Sequence, residues 1–234
     1  MVEIRSSNKN KFDFSIIPSL RCNLECPFCM YNSGPDVNVE LDYTKTAKFL
    51  LTVDWEMINS FGFYGGEPSI NLPLYQKFMD LIPEHIPKFI ITNGTWSNDL
   101  GPCLDFIRFA DKNKLHVIIS GTPYHIEHQN RAVLEEFKRI SPASFTLKGD
   151  DDIQPMGRAS RSDWKCTHKC VSYDCATRVG LFPDGSIFFQ NCNGIYPYVQ
   201  YYSNDFATLK SNVDHTITRC KERRDEVEKF TWTM

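Results

Sequence analysis

The sequence predicts an α/β fold: a partial (β/α) barrel followed by a small C-terminal module that contains a β-hairpin and a helix. Short apolar stretches alternate with helix-like stretches in the first part of the chain, which is typical of βα units with a parallel sheet. A complete eight-unit barrel needs about 250 residues, and the whole chain has 234. From about residue 150 cysteines crowd together instead. We therefore expect a barrel core at residues 1–150 and a C-terminal module at residues 151–234.

The predicted barrel strands are short and apolar and end near Gly, Ser, Thr or Pro. They cover residues 12–17, 60–64, 88–92, 115–120 and 144–148. Helices are predicted between them at residues 42–51, 74–82, 104–113 and 131–140. In the last of these, Val133, Leu134, Phe137 and Ile140 recur at helical spacing and form one apolar face. Five strands in about 150 residues imply an open barrel.

Composition excludes several classes of function. A hydrophobic content of 41% supports a real core, and a net charge of −3 gives no sign of broad binding to nucleic acid. No stretch approaches the ~20 apolar residues of a membrane span, and the polar amino-terminal stretch has no apolar signal region. Nine cysteines without a secretion signal indicate metal ligation in a reducing cytoplasm rather than a disulfide framework.

Three cysteines lie within eight residues, shortly after the first predicted strand: Cys22, Cys26 and Cys29. Three thiolates can hold three irons of a four-iron cluster and leave the fourth iron open, whereas a closed structural cluster takes four cysteines. The alternative is a zinc knuckle whose fourth ligand lies elsewhere in the chain. An open metal position is typical of a site that binds a ligand and performs chemistry.

Polar segments also follow the next three predicted strands. Gly65, Gly66, Glu67 and Pro68 come after the second strand, Thr92 and Asn93 end the third, and Ser120 ends the fourth. In parallel βα architectures the loops at the carboxyl ends of the strands converge at the functional edge. We therefore expect these residues to gather near the three cysteines. The alternative is that they are ordinary turn and cap residues.

The spacing C-x3-C-x-aromatic-C, with Phe28 at the aromatic position, resembles the cluster motif of the radical S-adenosylmethionine enzymes. The segment 65–68 resembles the GGEP segment of that family, and Thr92-Asn93-Gly94 is a third family-like segment in the family's order. The resemblance implies a 4Fe–4S cluster on Cys22, Cys26 and Cys29 whose open iron is chelated by S-adenosylmethionine. One electron from the cluster would then cleave the cofactor to a 5′-deoxyadenosyl radical, which abstracts hydrogen from a substrate.

The resemblance also assigns residues to S-adenosylmethionine binding. Glu67 would accept a hydrogen bond from the cofactor's amino group, and the glycines before it would let the backbone approach the ligand closely. The stretch from Ser120 to Arg131 only loosely resembles a family segment, because its Asp-Gly pair is absent here. Histidines 125 and 128 of this stretch are expected to be exposed loop residues, and the alternative is that they face the substrate. The full cofactor-binding set is Phe28, Gly65, Gly66, Glu67, Pro68, Thr92, Asn93, Ser120 and Arg131. No further catalytic residue is assigned.

A second cysteine group follows in the C-terminal module: Cys166, Cys170, Cys175 and Cys192. Residues 155–159 resemble the segment that leads into the auxiliary-cluster (SPASM) domain of sulfatase- and peptide-maturing radical enzymes. The short form of that domain, the twitch domain, holds one auxiliary iron–sulfur cluster, here expected as 4Fe–4S. The gap between Gly185 and Cys192 is longer than in the family, so Cys220 is a reserve ligand. The alternative is a structural zinc site.

The C-terminal module has two further features. A hairpin is predicted where residues 178–182 and 186–190 flank Pro183-Asp184-Gly185. Residues 214–229 are charged on most sides and predict a solvated helix. Cys103, just before the helix predicted at 104–113, is expected to be a free thiol.

The resemblance implies radical modification of a peptide or protein side chain, with reduced flavodoxin or ferredoxin as the electron donor. An alternative within the family is a small-molecule or nucleoside-type substrate. A different class of protein, a zinc-binding interaction protein, explains the cysteines but leaves the segments at 65–68 and 92–94 as coincidences.

Overall fold

The computed structural model describes residues 11–142, 144–148, 157–161, 178–189, 201–202 and 207. Its strands are β1 Phe12–Ile16, β2 Ile58–Phe63, β3 Lys88–Thr92, β4 Leu115–Ser120, β5 Phe145–Lys148, β6 Arg178–Leu181, β7 Ser186–Phe189 and β8 Tyr201–Tyr202. Its α-helices are α1 Tyr43–Leu50, α2 Leu72–Met79, α3 Leu100–Lys112, α4 Pro123–Ile126 and α5 Arg131–Ile140. Short 3₁₀ helices cover Trp55–Met57, Pro68–Ile70, Thr95–Asn98 and Gly157–Arg161.

The described strands form one open sheet in the order β5-β4-β3-β2-β1-β6-β7-β8. The six strands from β5 to β6 pair in parallel, while β7 and β8 pair antiparallel to their neighbours. Helices connect β1 to β2, β2 to β3, β3 to β4 and β4 to β5. This arrangement confirms the predicted parallel α/β sheet and is consistent with a partial barrel that does not close.

The predicted hairpin is present, but its first strand also extends the main sheet. β6 and β7 pair antiparallel around Pro183, Asp184 and Gly185. On its other side β6 runs parallel to β1, with Val179 opposite Phe14. The sequence had grouped this hairpin with a separate C-terminal module, and that division into two domains remains a prediction. The second cysteine group, Cys220 and the predicted helix at 214–229 lie outside the described residues.

Two helices begin earlier than the sequence predicted, and α2 starts at Leu72 rather than at residue 74. α3 starts at Leu100 rather than at residue 104, so Cys103 lies inside the helix and is 6% exposed. Pro102 does not prevent this start, because the first turn of a helix leaves its backbone N–H groups without intrahelical partners. Cys103 is a free thiol, as predicted.

The strands and helices share a buried apolar core. β2 is buried along nearly its whole length, as expected for a parallel strand covered on both faces. Phe14, Phe61, Phe63 and Phe78 are at most 1% exposed and belong to one apolar cluster between the sheet and the helices. Burying each such side chain stabilises the fold by roughly 1.5–3 kcal/mol. Among the described residues, no helix has the length and apolar character needed to cross a membrane.

Candidate functional site

Four loops meet at the carboxyl edge of the sheet, where the sequence predicted a site. They follow β1, β2, β3 and β4 and cover residues 17–42, 64–71, 93–99 and 121–130. Hydrogen bonds join them pairwise: Glu67 contacts Asn93, Asn93 contacts Asn23, and Gln129 contacts both Asn93 and Ser120. The structure therefore brings together the strand-end residues that the sequence had singled out.

The first loop carries the three cysteines and is closed at its base by its own backbone. The amide of Cys22 donates to the carbonyl oxygen of Gly34 at 3.0 Å, and the amide of Leu20 donates to the carbonyl oxygen of Val39 at 2.9 Å. Within the loop, the amide of Cys29 donates to the carbonyl oxygen of Cys26 at 3.1 Å. Cys22 and Cys26 are 8% and 7% exposed, so the fold shields two of the three sulfurs from water.

Backbone N–H groups point at two of these sulfurs. The amide of Leu24 donates to Sγ of Cys22 at 3.4 Å, and the amides of Tyr31 and Ser33 both donate to Sγ of Cys29 at 3.4 Å. Hydrogen bonds of this kind stabilise sulfur in its anionic form, which is the form that binds metal.

Burial acts against that anionic form when no cation compensates it. Desolvation raises the pKa of Cys22 to about 11. Desolvation, reinforced by the charges of the two neighbouring thiolates, raises the pKa of Cys26 to about 12. A bound metal centre would supply positive charge and deprotonate its thiol ligands outright, which would offset this cost.

Within the described part of the chain, no group of three or more His, Cys, Asp or Glu side chains is placed to hold a metal ion. A four-iron cluster takes one thiolate per iron, so three cysteines on one loop match that ligand type.

The glycines of the second loop pack against the cysteine loop. Gly66 donates from its amide to the carbonyl oxygen of Ser19 at 2.8 Å, and a Cβ at Gly66 would lie 1.8 Å from the carbonyl oxygen of Arg21. Gly65 has φ of 141°, and a Cβ there would lie 2.5 Å from the carbonyl oxygen of Ser19. The sequence predicted that these glycines allow a ligand to approach closely; the structure shows that they allow the backbone of the cysteine loop to do so.

Glu67 connects the second loop to the third. Its side chain is 1% exposed, and its Oε1 accepts from the Thr92 hydroxyl at 2.7 Å and from the Ser69 amide at 3.0 Å. Its Oε2 accepts from the Asn93 amide at 2.7 Å. Burial raises the pKa of this carboxyl, while the hydrogen bonds act in the opposite direction. Because a carboxylate has about four acceptor positions, roughly one remains for the predicted bond to a cofactor.

Thr92 and Asn93 complete this network. The Thr92 hydroxyl also accepts from Nε1 of Trp96 at 3.0 Å. Nδ2 of Asn93 donates to Oδ1 of Asn23 at 2.9 Å and lies 3.7 Å from Sγ of Cys22. Asn23 in turn donates to the hydroxyl of Thr95 at 2.8 Å. Sequence reasoning missed Asn23 and Thr95, although both directly neighbour motif residues.

Ser120 and Arg131 lie on either side of the fourth loop. The Ser120 carbonyl oxygen accepts from Nε2 of Gln129 at 2.6 Å, and Arg131 pairs with Glu135 of its own helix at 2.9 Å. Nη1 of Arg131 and Oε1 of Gln129 are nevertheless buried without a hydrogen-bond partner in the described part of the chain. Buried polar atoms almost always have partners, so these two atoms fit the polar groups of a bound ligand.

His125, which the sequence left as an exposed loop residue, is buried against the cysteine loop. It is 9% exposed, and its Nε2 lies 3.4 Å from Sγ of Cys26. Its ring also meets that of Phe28 at a centroid distance of 5.7 Å. Burial lowers the pKa of His125 to about 4. Phe28 is itself buried, in a small cluster with Cys22, Leu24, Cys26 and Ala159.

The segment Gly157–Arg161 contacts the cysteine loop from a distant part of the chain. Nε of Arg158 donates to the carbonyl oxygen of Cys26 at 2.9 Å, and its Nη2 donates to the carbonyl oxygen of Ser33. The amide of Ala159 donates to the carbonyl oxygen of Cys29 at 3.3 Å. The sequence linked this segment to the second cysteine group and gave no sign of its contact with the first.

A comparison with protein-family models gives one match, to the Radical SAM superfamily over residues 16–147. The matched region is more than half of the chain, so this protein belongs to that superfamily. Membership supports the superfamily's two cofactors, an iron–sulfur cluster and S-adenosylmethionine. A search of curated protein sequences finds no significant match.

Several solved structures are similar to this chain at low sequence identity. BtrN in complex with S-adenosylmethionine and 2-DOIA is 14% identical over 76% of this chain and 72% of BtrN, with a TM-score of 0.50. Streptococcus suis SuiB bound to S-adenosylmethionine is 12% identical over 84% of this chain, with a TM-score of 0.41. Histidine-tagged anSMEcpe with bound S-adenosylmethionine is 15% identical over 83% of this chain and 78% of anSMEcpe, with a TM-score of 0.45. This chain spans 64% of SuiB.

Proposed function

We propose that this protein is a radical S-adenosylmethionine enzyme whose cluster is held by Cys22, Cys26 and Cys29. The observation that carries the proposal is the loop of three free thiols at the carboxyl edge of the sheet, with backbone amides directed at two of its sulfurs. The cluster and S-adenosylmethionine, when bound, together supply a 5′-deoxyadenosyl radical that abstracts hydrogen from the substrate.

The residues around the cysteine loop position and shield this site. Glu67, through Thr92 and Asn93, joins the loops that follow β2 and β3, and the burial of Cys22 limits the access of water to its sulfur. Two buried atoms without a hydrogen-bond partner in the described part of the chain, Nη1 of Arg131 and Oε1 of Gln129, support a role for this region in binding a polar ligand. We propose that the cofactor-binding set is Phe28, Gly65, Gly66, Glu67, Pro68, Thr92, Asn93, Ser120 and Arg131.

The proposal can be tested by the cleavage of S-adenosylmethionine. After anaerobic reconstitution and chemical reduction, the wild-type protein should release 5′-deoxyadenosine. The Cys26→Ala variant should release none, whereas Cys103→Ala, which changes a buried thiol in α3, should remain active. A brown wild-type protein that releases no 5′-deoxyadenosine would indicate electron transfer without radical chemistry. A colourless protein that contains zinc would instead support a zinc-binding interaction protein.

We further propose that residues 151–234 form a twitch-like module with one auxiliary cluster on Cys166, Cys170, Cys175 and Cys192. The support is the sequence resemblance of residues 155–159 and of the second cysteine group. In the same resemblance the substrate is a peptide or protein side chain, and reduced flavodoxin or ferredoxin donates the electron. Such cofactors and free thiols suit a reducing cytoplasm.

The peptide substrate has a separate test. Co-expression with small peptides encoded beside this protein, followed by mass spectrometry, should reveal a peptide whose mass changes only when Cys22, Cys26 and Cys29 are intact. Turnover of a small molecule or nucleoside by the reconstituted enzyme, with every peptide unchanged, would favour the alternative substrate class.

A further inference from the structure

His125 is placed so that one ring nitrogen faces a candidate cluster ligand and the other is held by the protein. Nε2 lies 3.4 Å from Sγ of Cys26, and Nδ1 lies 2.8 Å from the hydroxyl oxygen of Thr122. Thr122 is the N-cap of α4, and its hydroxyl oxygen also accepts from the His125 amide at 3.3 Å. The same residue therefore fixes the helix start and the orientation of the ring.

Aromatic rings restrict the imidazole further. The Phe28 and Tyr124 rings meet it edge-on, at centroid distances of 5.7 and 6.1 Å. Thr122 and His125 are both buried. A ring held on several sides in this way does not swing into solvent when its partner sulfur changes charge.

The direction of the hydrogen bond follows from the state of the sulfur. A cysteine that ligates iron is a thiolate and has no proton, so a hydrogen bond between it and His125 requires the proton on Nε2. Nδ1 of a neutral ring is then an acceptor, and the Thr122 hydroxyl can donate to it while still accepting from the His125 amide. With the proton on Nε2, each hydrogen bond among Cys26, His125 and Thr122 has one donor and one acceptor.

We propose that His125 is a positioning residue that donates a hydrogen bond from Nε2 to the Cys26 thiolate and thereby raises the reduction potential of the cluster. The inference rests on the proposed function, because it requires the cluster on Cys22, Cys26 and Cys29. Hydrogen bonds to ligand sulfurs are among the factors that set iron–sulfur potentials. A donor facing the sulfur stabilises the more negative, reduced cluster more than the oxidised one, so removing it disfavours reduction.

The test is the midpoint potential of the reconstituted full-length protein, followed by electron paramagnetic resonance during a redox titration without S-adenosylmethionine. The signal of interest is the one that disappears when Cys22, Cys26 and Cys29 are all changed to Ala. His125→Phe keeps a ring but removes the donor, His125→Gln restores an N–H at a similar reach, and His85→Phe alters an exposed histidine in the turn before β3.

We expect His125→Phe to shift the balance between oxidised and reduced cluster about tenfold, which is about 59 mV more negative for one electron. His125→Gln should recover part of the shift, and His85→Phe should match the wild type. An unchanged potential in His125→Phe, with the cluster fully loaded, would overturn the inference while leaving the proposed function intact. A wild-type protein without iron at the three cysteines would overturn both.

A second measurement does not depend on any variant loading its cluster. In wild-type protein labelled with ¹⁵N-histidine, pulsed electron paramagnetic resonance of the reduced cluster should detect coupling to a histidine nitrogen. A loaded cluster with no such coupling would contradict the hydrogen bond.

Discussion

Arg158 donates a hydrogen bond from Nε to the carbonyl oxygen of Cys26 at 2.9 Å, across a sequence separation of 132 residues. Nη2 of the same side chain donates to the carbonyl oxygen of Ser33. One guanidinium therefore joins two points of the cysteine loop. Gly157 makes this approach possible, because it has φ of 53° and a Cβ there would lie 2.5 Å from the carbonyl oxygen of Met30. The loop with the candidate cluster ligands is therefore shaped partly by a segment that follows the five strands predicted for the barrel.

Replacing Arg158 by Leu should loosen the cysteine loop. The change removes hydrogen bonds from a charged donor, each of which contributes about 1.5–3 kcal/mol. We expect faster amide hydrogen exchange in residues 26–33, measured by mass spectrometry. Arg139→Leu is a matched control, because Arg139 pairs with Glu136 on the exposed surface of α5 and such pairs contribute about 0–1 kcal/mol. Equal exchange in both variants would show that Arg158 does not support the loop.

Replacing Gly66 by Ala should destabilise the junction between the second loop and the cysteine loop. The added Cβ would lie 1.8 Å from the Arg21 carbonyl oxygen, and a clash with backbone cannot be relieved by a rotamer change. We expect a loss of about 3 kcal/mol in the free energy of unfolding, measured with denaturant. Gly101→Ala is the control: nothing lies within 4 Å of its Cβ position in α3, so it should stabilise by roughly 0.5–1 kcal/mol. Similar unfolding free energies for the two variants would contradict the close packing.

The buried carboxyl of Glu67 should make stability depend on pH in a defined direction. Burial raises its pKa above the ordinary value of 4.5 in the folded protein, so between these two pKa values the folded state binds more protons than the unfolded state. The free energy of unfolding therefore falls as pH rises above about 4.5. Glu67→Gln removes this contribution, and the unfolding free energy of the wild type should decline relative to the variant as pH increases. A constant difference between the two curves would show that burial does not shift this group.

Much of the fold could be predicted because its signals are local. The strands β3 and β4 and the helix α5 have the predicted bounds, since an apolar run or a helical period is contained within each segment. The pairing of β6 with β1 depends on contacts more than 160 residues apart, such as the bond from the Ser15 hydroxyl to the Val179 carbonyl oxygen. No local pattern contains that information.

The candidate site was predicted less completely, for a related reason. The cysteines, Glu67 and Asn93 could be identified because they belong to recognisable motifs. The contacts of His125 and Gln129 could not be predicted, because they depend on the tertiary structure. His125 contacts Cys26, and Gln129 contacts Asn93 and Ser120. For the glycines at 65 and 66 the sequence indicated a close approach to a ligand, whereas the structure shows a close approach to the backbone of Ser19 and Arg21.

The most direct test of the central claim is the iron and sulfide content per chain after anaerobic reconstitution. We would compare the wild type, the variant with Cys22, Cys26 and Cys29 changed to Ala, and the Cys103→Ala control. The account predicts that the triple variant contains about four irons fewer than the wild type and the control. The wild type should contain about eight irons if the second cysteine group also holds a four-iron cluster. Equal iron in all three proteins, or zinc in place of iron, would contradict it.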